Sequence, residues 1–192
     1  MTKCINAARD LLIKQDISSF ELDIQAMRFD KTIYFDTFSG YAKATGIPLS
    51  SFDLIKDGCV IEKQEAYVVL FRKTASQRYR FTLAHELGHI HLDHSLDSEE
   101  EEWQANIFAG ELLVPELVVL ELQRLLSRRL TAAEVSRLFG ISLTAAEVRL
   151  MKIHRKNQFS AYLSREILGK YQELINQYVN KKGKLCQVLL QS

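Results

Sequence analysis

The stretch Phe81–His94, FTLAHELGHIHLDH, constrains the fold more than any other part of this 192-residue chain. It contains four of the five histidines, and the first two frame a glutamate in the spacing His85-Glu86-x-x-His89. On an α-helix, residues i and i+4 share a face, so His85 and His89 can bind one cation. Other positions of the stretch are apolar: Phe81, Leu83, Ala84, Leu87 and Ile90. The pattern predicts a helix that packs on an apolar core and binds a metal.

Two imidazoles at this spacing favour Zn²⁺. Glu86 lies one position further round the helix, where it would reach a metal-bound water and not the metal itself. Zinc lowers the pKa of such a water, and a nearby carboxylate can take its proton as it attacks a peptide carbonyl. Chance alone places HExxH in roughly one such chain in a hundred, so the apolar context is needed to support the prediction. We therefore predict zinc-dependent peptide hydrolysis with Glu86 as general base.

Two histidines do not complete a zinc site, and a third ligand is needed. The pattern HExxHxxGxxH fails, because Ser95 stands at its last position and Leu92 at its glycine position. His91 would point to another face of a continuing helix, and His94 would reach the metal only if the helix ended before it. Both are predicted to be loop or surface histidines.

The other solution is a glutamate on a following helix. Glu99–Glu102 begin an apolar helical segment that must pack against something, and the HExxH helix is the obvious candidate. Glu102 and Asn106 are four residues apart and share a face, which would allow Asn106 to support a ligand histidine. Glu102 is therefore the predicted third ligand, and Glu101 is the alternative.

Composition bounds the class of protein. With 47% apolar residues the chain can bury a core, and its net charge of +1 does not favour general binding to nucleic acid or to an anionic membrane. Its three cysteines are far apart and lack CxxC spacing, which is typical of free thiols in a reducing compartment. The N-terminus lacks the apolar core of a signal peptide, and no apolar run approaches the length of a membrane span. These features predict a cytoplasmic protein.

The pattern along the chain predicts an α+β fold, mostly helical with a small antiparallel sheet. Residues 58–62 (GCVIE) and 66–73 (AYVVLFRK) are rich in β-branched and aromatic side chains and predict a strand pair. KTIYF, at 31–35, could form a short strand, and the glycines and proline of residues 40–48 favour turns. We expect a catalytic domain at 1–120 and a helical region at 121–192.

The helical region contains the hexapeptide LTAAEV twice, at 130–135 and 143–148. Each copy predicts a helix start with Thr as N-cap and Glu three positions later. Residues 131–154 therefore predict two short helices joined at Gly140. The second would carry five basic side chains, as a DNA recognition helix does: Arg149, Lys152, His154, Arg155 and Lys156. DNA binding is the competing interpretation, although the small net charge does not favour it.

The segment from Arg80 to Pro115, RFTLAHELGHIHLDH…EEEWQANIFAGELLVP, resembles the core signature of the ImmA/IrrE family of metallopeptidases. The segment VSRLFGIS…AAEVRL is similar to the helix-turn-helix-like element that often follows in that family. The resemblance implies a zincin-like core with a small antiparallel sheet and a glutamate as third zinc ligand. It also implies site-specific cleavage of a helix-turn-helix repressor, which switches on genes of a mobile element or a stress response.

Carried over by position, the resemblance makes His85, His89 and Glu102 the zinc ligands and Glu86 the catalytic acid/base. The chain departs from many relatives at Gln104, where they have Glu. If that glutamate were the ligand, this chain would lack it, and the spacing of Glu102 from Asn106 favours Glu102.

Two further hypotheses stay open. A substrate peptide could pair in extended form with an exposed sheet edge, and residues 66–72 are the strand nearest in sequence to the HExxH helix. A zinc site could also hold the fold of an inactive regulatory protein, although a structural site has no need of Glu86.

Overall fold

The structure is a computed structural model that describes residues 2–73, 78–95, 98–153 and 161–189, with backbone only at 161–164 and 184–189. In these ranges the chain is α+β and mostly helical, and it has no helix long and apolar enough to cross a membrane. The helices are α1 (Thr2–Ile13), α2 (Phe38–Thr45), α3 (Arg78–Leu92), α4 (Glu99–Leu113), α5 (Glu116–Leu126), α6 (Ala132–Phe139), α7 (Leu143–Ile153) and α8 (Ala161–Leu189). The strands are β1 (Ile33–Thr37), β2 (Gly58–Glu62) and β3 (Tyr67–Phe71), and short 3₁₀ turns lie at Ile24–Ala26 and Leu49–Phe52.

The chain divides into two compact units. The first includes the chain through Leu11 and again from Asp23 to Leu113. The second includes Leu12–Leu22 and the chain from Val114 onward. The predicted boundary after residue 120 stays a prediction.

The sheet of the first unit has the order β1-β3-β2. The hairpin predicted from residues 58–62 and 66–73 is confirmed, because β2 pairs antiparallel with β3. The expectation of an antiparallel sheet is wrong as a whole, since β1 pairs parallel with β3 and the sheet is mixed. The reason is topological. After α2 the chain forms β2 at the edge of the sheet away from β1, and β3, its hairpin partner, lies between β2 and β1. Local patterns reveal a hairpin, whereas a parallel pair depends on a long crossover.

This strand order also shows that residues 66–72 are not an exposed sheet edge with which a substrate peptide could pair. β3 is the central strand, and β2 is the end strand on the other side from β1.

The two faces of the sheet serve different elements, because alternate side chains of a strand point to opposite faces. On one face, Cys59, Ile61 and Val68 pack against a buried cluster formed by Phe38, Ala42, Phe52 and Leu70. On the other face, β2 and β3 contact α3, and Gly58 lies against Thr82. The cluster under α2 therefore fixes the sheet, and the sheet supports the HExxH helix.

Residues 38–45 form helix α2 and not the turns expected between 40 and 48. The hydroxyl of Thr37 accepts a hydrogen bond from the backbone N–H of Gly40, which caps the start of the helix. Gly46 ends the helix with φ of 76°, a left-handed conformation that glycine adopts without strain. The glycines thus mark the first turn and the end of a helix.

Helices α3 and α4 approach each other closely where two small residues meet. A Cβ atom on Gly88 would lie 3.0 Å from the Cα and 3.2 Å from the carbonyl oxygen of Ala105. Neighbouring side chains on both helices are fully buried, among them Leu87 and Phe108. The absence of a side chain at Gly88 therefore sets how near α4 lies to α3.

The second unit packs α5 on α8 and α6 on α7. The ring of Phe20 lies between Phe139, at 5.5 Å edge-on, and Tyr171, at 6.0 Å stacked. Arg128 holds both carboxylate oxygens of Glu134, at 2.9 and 2.8 Å.

The pair of short helices predicted in residues 131–154 is confirmed for α6 and α7, with Gly140 left-handed between them. The predicted capping box at Thr131 and Glu134 is present. The second predicted cap is wrong: α7 begins at Leu143, and the hydroxyl of Ser142 accepts from the N–H of Ala145. Two of the five predicted basic residues lie in α7, and His154, Arg155 and Lys156 lie outside the described residues.

We expect the substitution Gly88→Ala to lower the free energy of unfolding by about 1–3 kcal/mol, because the added methyl group meets backbone that is unable to rotate away. The matched control is Gly169→Ala in α8, where a Cβ atom meets nothing within 4 Å. That change should stabilise by up to about 1 kcal/mol through helix propensity. Urea titrations of the two variants measure both effects. Equal stabilisation by the two changes would contradict the close packing of α3 and α4.

Candidate metal centre

Helix α3 places its histidines between a buried face and solvent. Leu83, Ala84 and Leu87 are fully buried, whereas the side chains of His85 and His89 keep 15% and 19% of their surface exposed. The apolar residues anchor the helix and fix its rotation, so that both imidazoles point to the face covered by α4.

The structure brings together the three predicted ligand side chains. The Nε2 atoms of His85 and His89 are 3.1 Å apart. Glu102 places one carboxylate oxygen 3.3 Å from Nε2 of His85 and the other 3.3 Å from Nε2 of His89. Among the described residues, these three form the one group of His, Cys, Asp and Glu side chains with converging donor atoms. Glu101 is not part of it.

This donor set fits zinc in chemistry and in spacing. Two imidazole nitrogens and a carboxylate oxygen are ligands that zinc takes in catalytic sites. Donor atoms bound at about 2.0–2.1 Å to a tetrahedral ion lie about 3.3 Å from one another. The two imidazole nitrogens are 3.1 Å apart and each lies 3.3 Å from a different oxygen of Glu102, so the separations are close to that value.

Both imidazoles are held in the form that a metal needs. Burial lowers the pKa of His85, and the negative charge of Glu102 opposes this effect. Burial also lowers the pKa of His89, and the neighbouring His85 lowers it further. The two rings are therefore neutral at pH 7, and a neutral imidazole offers a lone pair to a cation.

Glu86 lies on a different side of α3 from the two histidines. Its side chain is buried, and a Cβ atom on Gly58 of β2 would lie 3.2 Å from its Oε1 atom. Any larger residue at position 58 would therefore displace this carboxylate or Thr82 beneath it. The carboxylate is therefore held against β2 and is not part of the group formed by His85, His89 and Glu102.

Asn106 lies on the same face of α4 as Glu102. Its amide nitrogen donates to the carbonyl oxygen of Glu102 at 2.8 Å. The Asn106 side chain also raises the pKa of His85, against the larger opposing effect of burial. Within the described part of the chain, Nδ1 of His85 has no hydrogen-bond partner. Support of a ligand histidine by Asn106 therefore stays a prediction.

Two other histidines of the stretch have separate environments. The ring of His91 stacks on Phe108 at 5.6 Å and contacts Phe29, so it is a packing residue of the first unit. His94 lies in the loop after α3, as predicted, and its Nδ1 atom lies 3.1 Å from Nδ1 of His89. Helix α3 ends at Leu92, and the left-handed Asp93 that follows brings His94 back to the ring of His89.

Two lysines that sequence reasoning missed bind the end of α3. Lys31 donates to the carbonyl of Ile90 at 2.9 Å and pairs with Asp93 at 2.7 Å. Lys3 donates to the carbonyl of Leu92 at 3.4 Å. Cations at a helix C-terminus satisfy carbonyls that lack partners within the helix. Their position in the chain, far from the motif, carries no local signal of this role.

A pocket of about 330 Å³ opens beside the ligands. Val60 and Glu62 of β2 line one side, and His89 and His94 line the other. Tyr67 of β3 also lines the pocket, so both strands of the hairpin lie next to the candidate metal centre.

Comparison with protein families supports this centre. The model of the family Peptidase_M78, described as the IrrE N-terminal-like domain, matches residues 47–151, which is more than half of the chain. The match includes β2, β3 and all three converging side chains. Comparison with curated proteins gives no match.

The thiol of Cys59 should report on the charge of Glu86. Burial, and then the negative charge of Glu86, raise the pKa of Cys59 to about 11. At pH 8 its thiolate fraction is therefore about 100-fold below that of an ordinary cysteine, and we expect alkylation to be slower in proportion. The rate should rise about tenfold for each pH unit up to pH 11.

Glu86→Gln should speed alkylation of Cys59 several-fold at pH 8, because the repelling charge is removed. Glu62→Gln, in the same strand as Cys59, is the matched control. Peptide-resolved mass spectrometry after iodoacetamide treatment measures Cys59 separately from the other cysteines. An identical rate in wild type and Glu86→Gln would show that Glu86 carries no charge near this thiol.

Proposed function

The chain belongs to the Peptidase_M78 family of metallopeptidases, and we propose that it is a zinc-dependent endopeptidase with a zincin-like catalytic core. Its substrate would be a helix-turn-helix transcriptional repressor in the cytoplasm, whose cleavage derepresses genes of a mobile element or a stress response. The helix-turn-helix-like element of the enzyme itself would be α6 and α7.

The observation that carries this proposal is the convergence of the Nε2 atoms of His85 and His89, 3.1 Å apart, on the carboxylate of Glu102, which places one oxygen 3.3 Å from each of them. Three protein ligands leave one position of a tetrahedral ion open, which is typical of catalytic zinc, whereas structural zinc is enclosed by four. No fourth donor joins the group within the described residues. This feature favours an enzyme over an inactive protein that uses zinc only for its fold.

Bound zinc would acidify a water molecule and polarise the carbonyl of the scissile peptide bond. Glu86 would take the proton of that water and deliver it to the leaving amine. Its burial against Gly58 would hold the carboxylate in one position, outside the group formed by His85, His89 and Glu102.

The competing DNA-binding function would need exposed cations on α7. The guanidinium of Arg149 instead donates twice to the carbonyl of Val114, at 3.0 and 2.8 Å. A side chain engaged in this way is not available for phosphate. This contact weighs against α7 as a recognition helix.

The metal content tests the ligand set. We expect wild type, purified without chelator, to hold about one zinc per chain. Glu102→Ala should lose most of it, because two histidines alone bind weakly, and Glu101→Ala should keep it. Elemental mass spectrometry of the three proteins, prepared side by side, makes the measurement. Retention of zinc by Glu102→Ala would overturn the two-helix site, and its loss from Glu101→Ala alone would move the third ligand to that position.

Cleavage tests the role of Glu86. Glu86→Gln should keep its zinc and still bind substrate but lose about 10²–10⁴-fold in cleavage rate, because a general base is removed. Wild type and Glu86→Gln are expressed in parallel, and new protein N-termini are identified by mass spectrometry. We expect wild-type-dependent N-termini within helix-turn-helix repressors. New N-termini only in other proteins would reject the repressor as substrate, and equal cleavage by both proteins would reject Glu86 as the base.

A further inference from the structure

We propose that His94 is a positioning residue for His89, and that Gln104 and Glu100 hold His94 in the tautomer this task requires. The proposal rests on the zinc site proposed above. It concerns the second nitrogen of the His89 ring, on the side away from the Nε2 atom that converges with His85 and Glu102.

The backbone carries His94 back over the helix. Asp93 adopts φ of 55°, and the N–H of His94 donates to the carbonyl of His89 at 3.0 Å. This bond across five residues, with a left-handed residue before its donor, is the Schellman ending of a helix. Lys31 binds the carboxylate of Asp93 at 2.7 Å and so stabilises the turn. The histidine after the turn therefore returns to the last turn of α3.

The hydrogen bonds form a chain in which every donor and acceptor can be assigned. If His89 offers Nε2 to a metal, its proton is on Nδ1 and must be donated to an acceptor. Nδ1 of His94 lies 3.1 Å away and accepts it. The proton of His94 is then on Nε2, which lies 3.1 Å from Oε1 of Gln104 and donates to it.

Gln104 completes the chain in a single orientation. Its amide nitrogen donates to Oε1 of Glu100 at 3.1 Å, which leaves Oε1 of Gln104 as the acceptor facing His94. Reversing the amide would place two donors against each other at His94. The series from His89 through His94 and Gln104 to Glu100 is thus self-consistent only when Nε2 of His89 is free for the metal.

Such support has a measurable effect on metal binding. A partner on the outer nitrogen of a ligand histidine fixes the ring and makes it a stronger base, and its loss typically lowers metal affinity about 10–100-fold. In this chain the partner follows α3 and its own support lies on α4, so the hydrogen bonds also join the two helices that provide the ligands.

The first test is zinc affinity, measured by competition with a chromophoric chelator. His94→Phe keeps an aromatic ring but removes the acceptor, and we expect zinc to bind about 10–100-fold more weakly. His94→Asn retains a side-chain oxygen near the Nδ1 position and should recover most of the affinity. His91→Phe is the matched control, because His91 lies on a different side of α3 from His89 and its ring stacks on Phe108; its affinity should equal that of wild type.

The second test reads the tautomer directly. In zinc-loaded wild type, ¹⁵N-resolved NMR of the imidazoles should show a proton on Nδ1 of His89 and a proton on Nε2 of His94. In Gln104→Leu, which leaves His94 in place, the His94 proton should no longer be confined to Nε2. A protein in which His94 carries its proton on Nδ1 would overturn the proposal even if His94→Phe fails to fold.

The outcomes separate this inference from the proposed function. If wild type binds zinc tightly and His94→Phe binds it equally well, the positioning role is rejected while the zinc site stands. If wild type itself does not bind zinc, the proposed function is rejected, and the positioning role with it.

Discussion

The close contact between Gly88 and Ala105 is the constraint on which the candidate metal centre depends. Two helices that meet through small residues can approach until their backbones are in contact, and the neighbouring side chains here are buried on both sides of that contact. At that separation a glutamate on α4 reaches both imidazoles of α3 with its two carboxylate oxygens. A wider spacing would leave the histidines paired with each other and without an anionic partner. Packing of small residues thus determines the chemistry of a site that contains neither of them.

Around this contact, the first unit positions α3 from three directions. The sheet lies along one side and is itself held by the cluster under α2. Helix α4 covers the histidine face, and lysines from distant parts of the chain bind the last carbonyls. Burial by these neighbours keeps the imidazoles neutral, while the carboxylate of Glu102 limits how far their pKa values fall. A cation bound here would therefore meet the lone pairs of two neutral imidazoles and the negative charge of one carboxylate, in a partly buried site.

Features with a local cause could be predicted from the sequence. The HExxH helix, the hairpin and the capping box at Thr131 each depend on residues within a few positions of one another. The four-residue spacing of Glu102 and Asn106 likewise predicts which glutamate lies beside the two histidines. What could not be predicted depends on distant residues or on competition between local signals. The parallel pairing of β1 joins strands that are far apart in the sequence. At the second copy of LTAAEV, Ser142 caps the helix, whereas Thr131 caps it at the first copy. The contact of His94 with His89 could not be predicted, because it requires Asp93 to adopt a left-handed conformation for which the sequence gives no signal.

The division of α3 into two working sides has an evolutionary consequence. The residues that would hold the metal face α4, and the residue that would move the proton faces β2, so each is maintained by a different neighbour. Mutations could therefore remove one capacity while the other persists. A descendant that lost Glu86 would keep a metal-dependent binding surface, whereas one with a bulkier residue at position 58 would keep every polar group of the site and still lose their alignment. Substitutions in β2 and substitutions in α3 and α4 would therefore lead to proteins with different remaining functions.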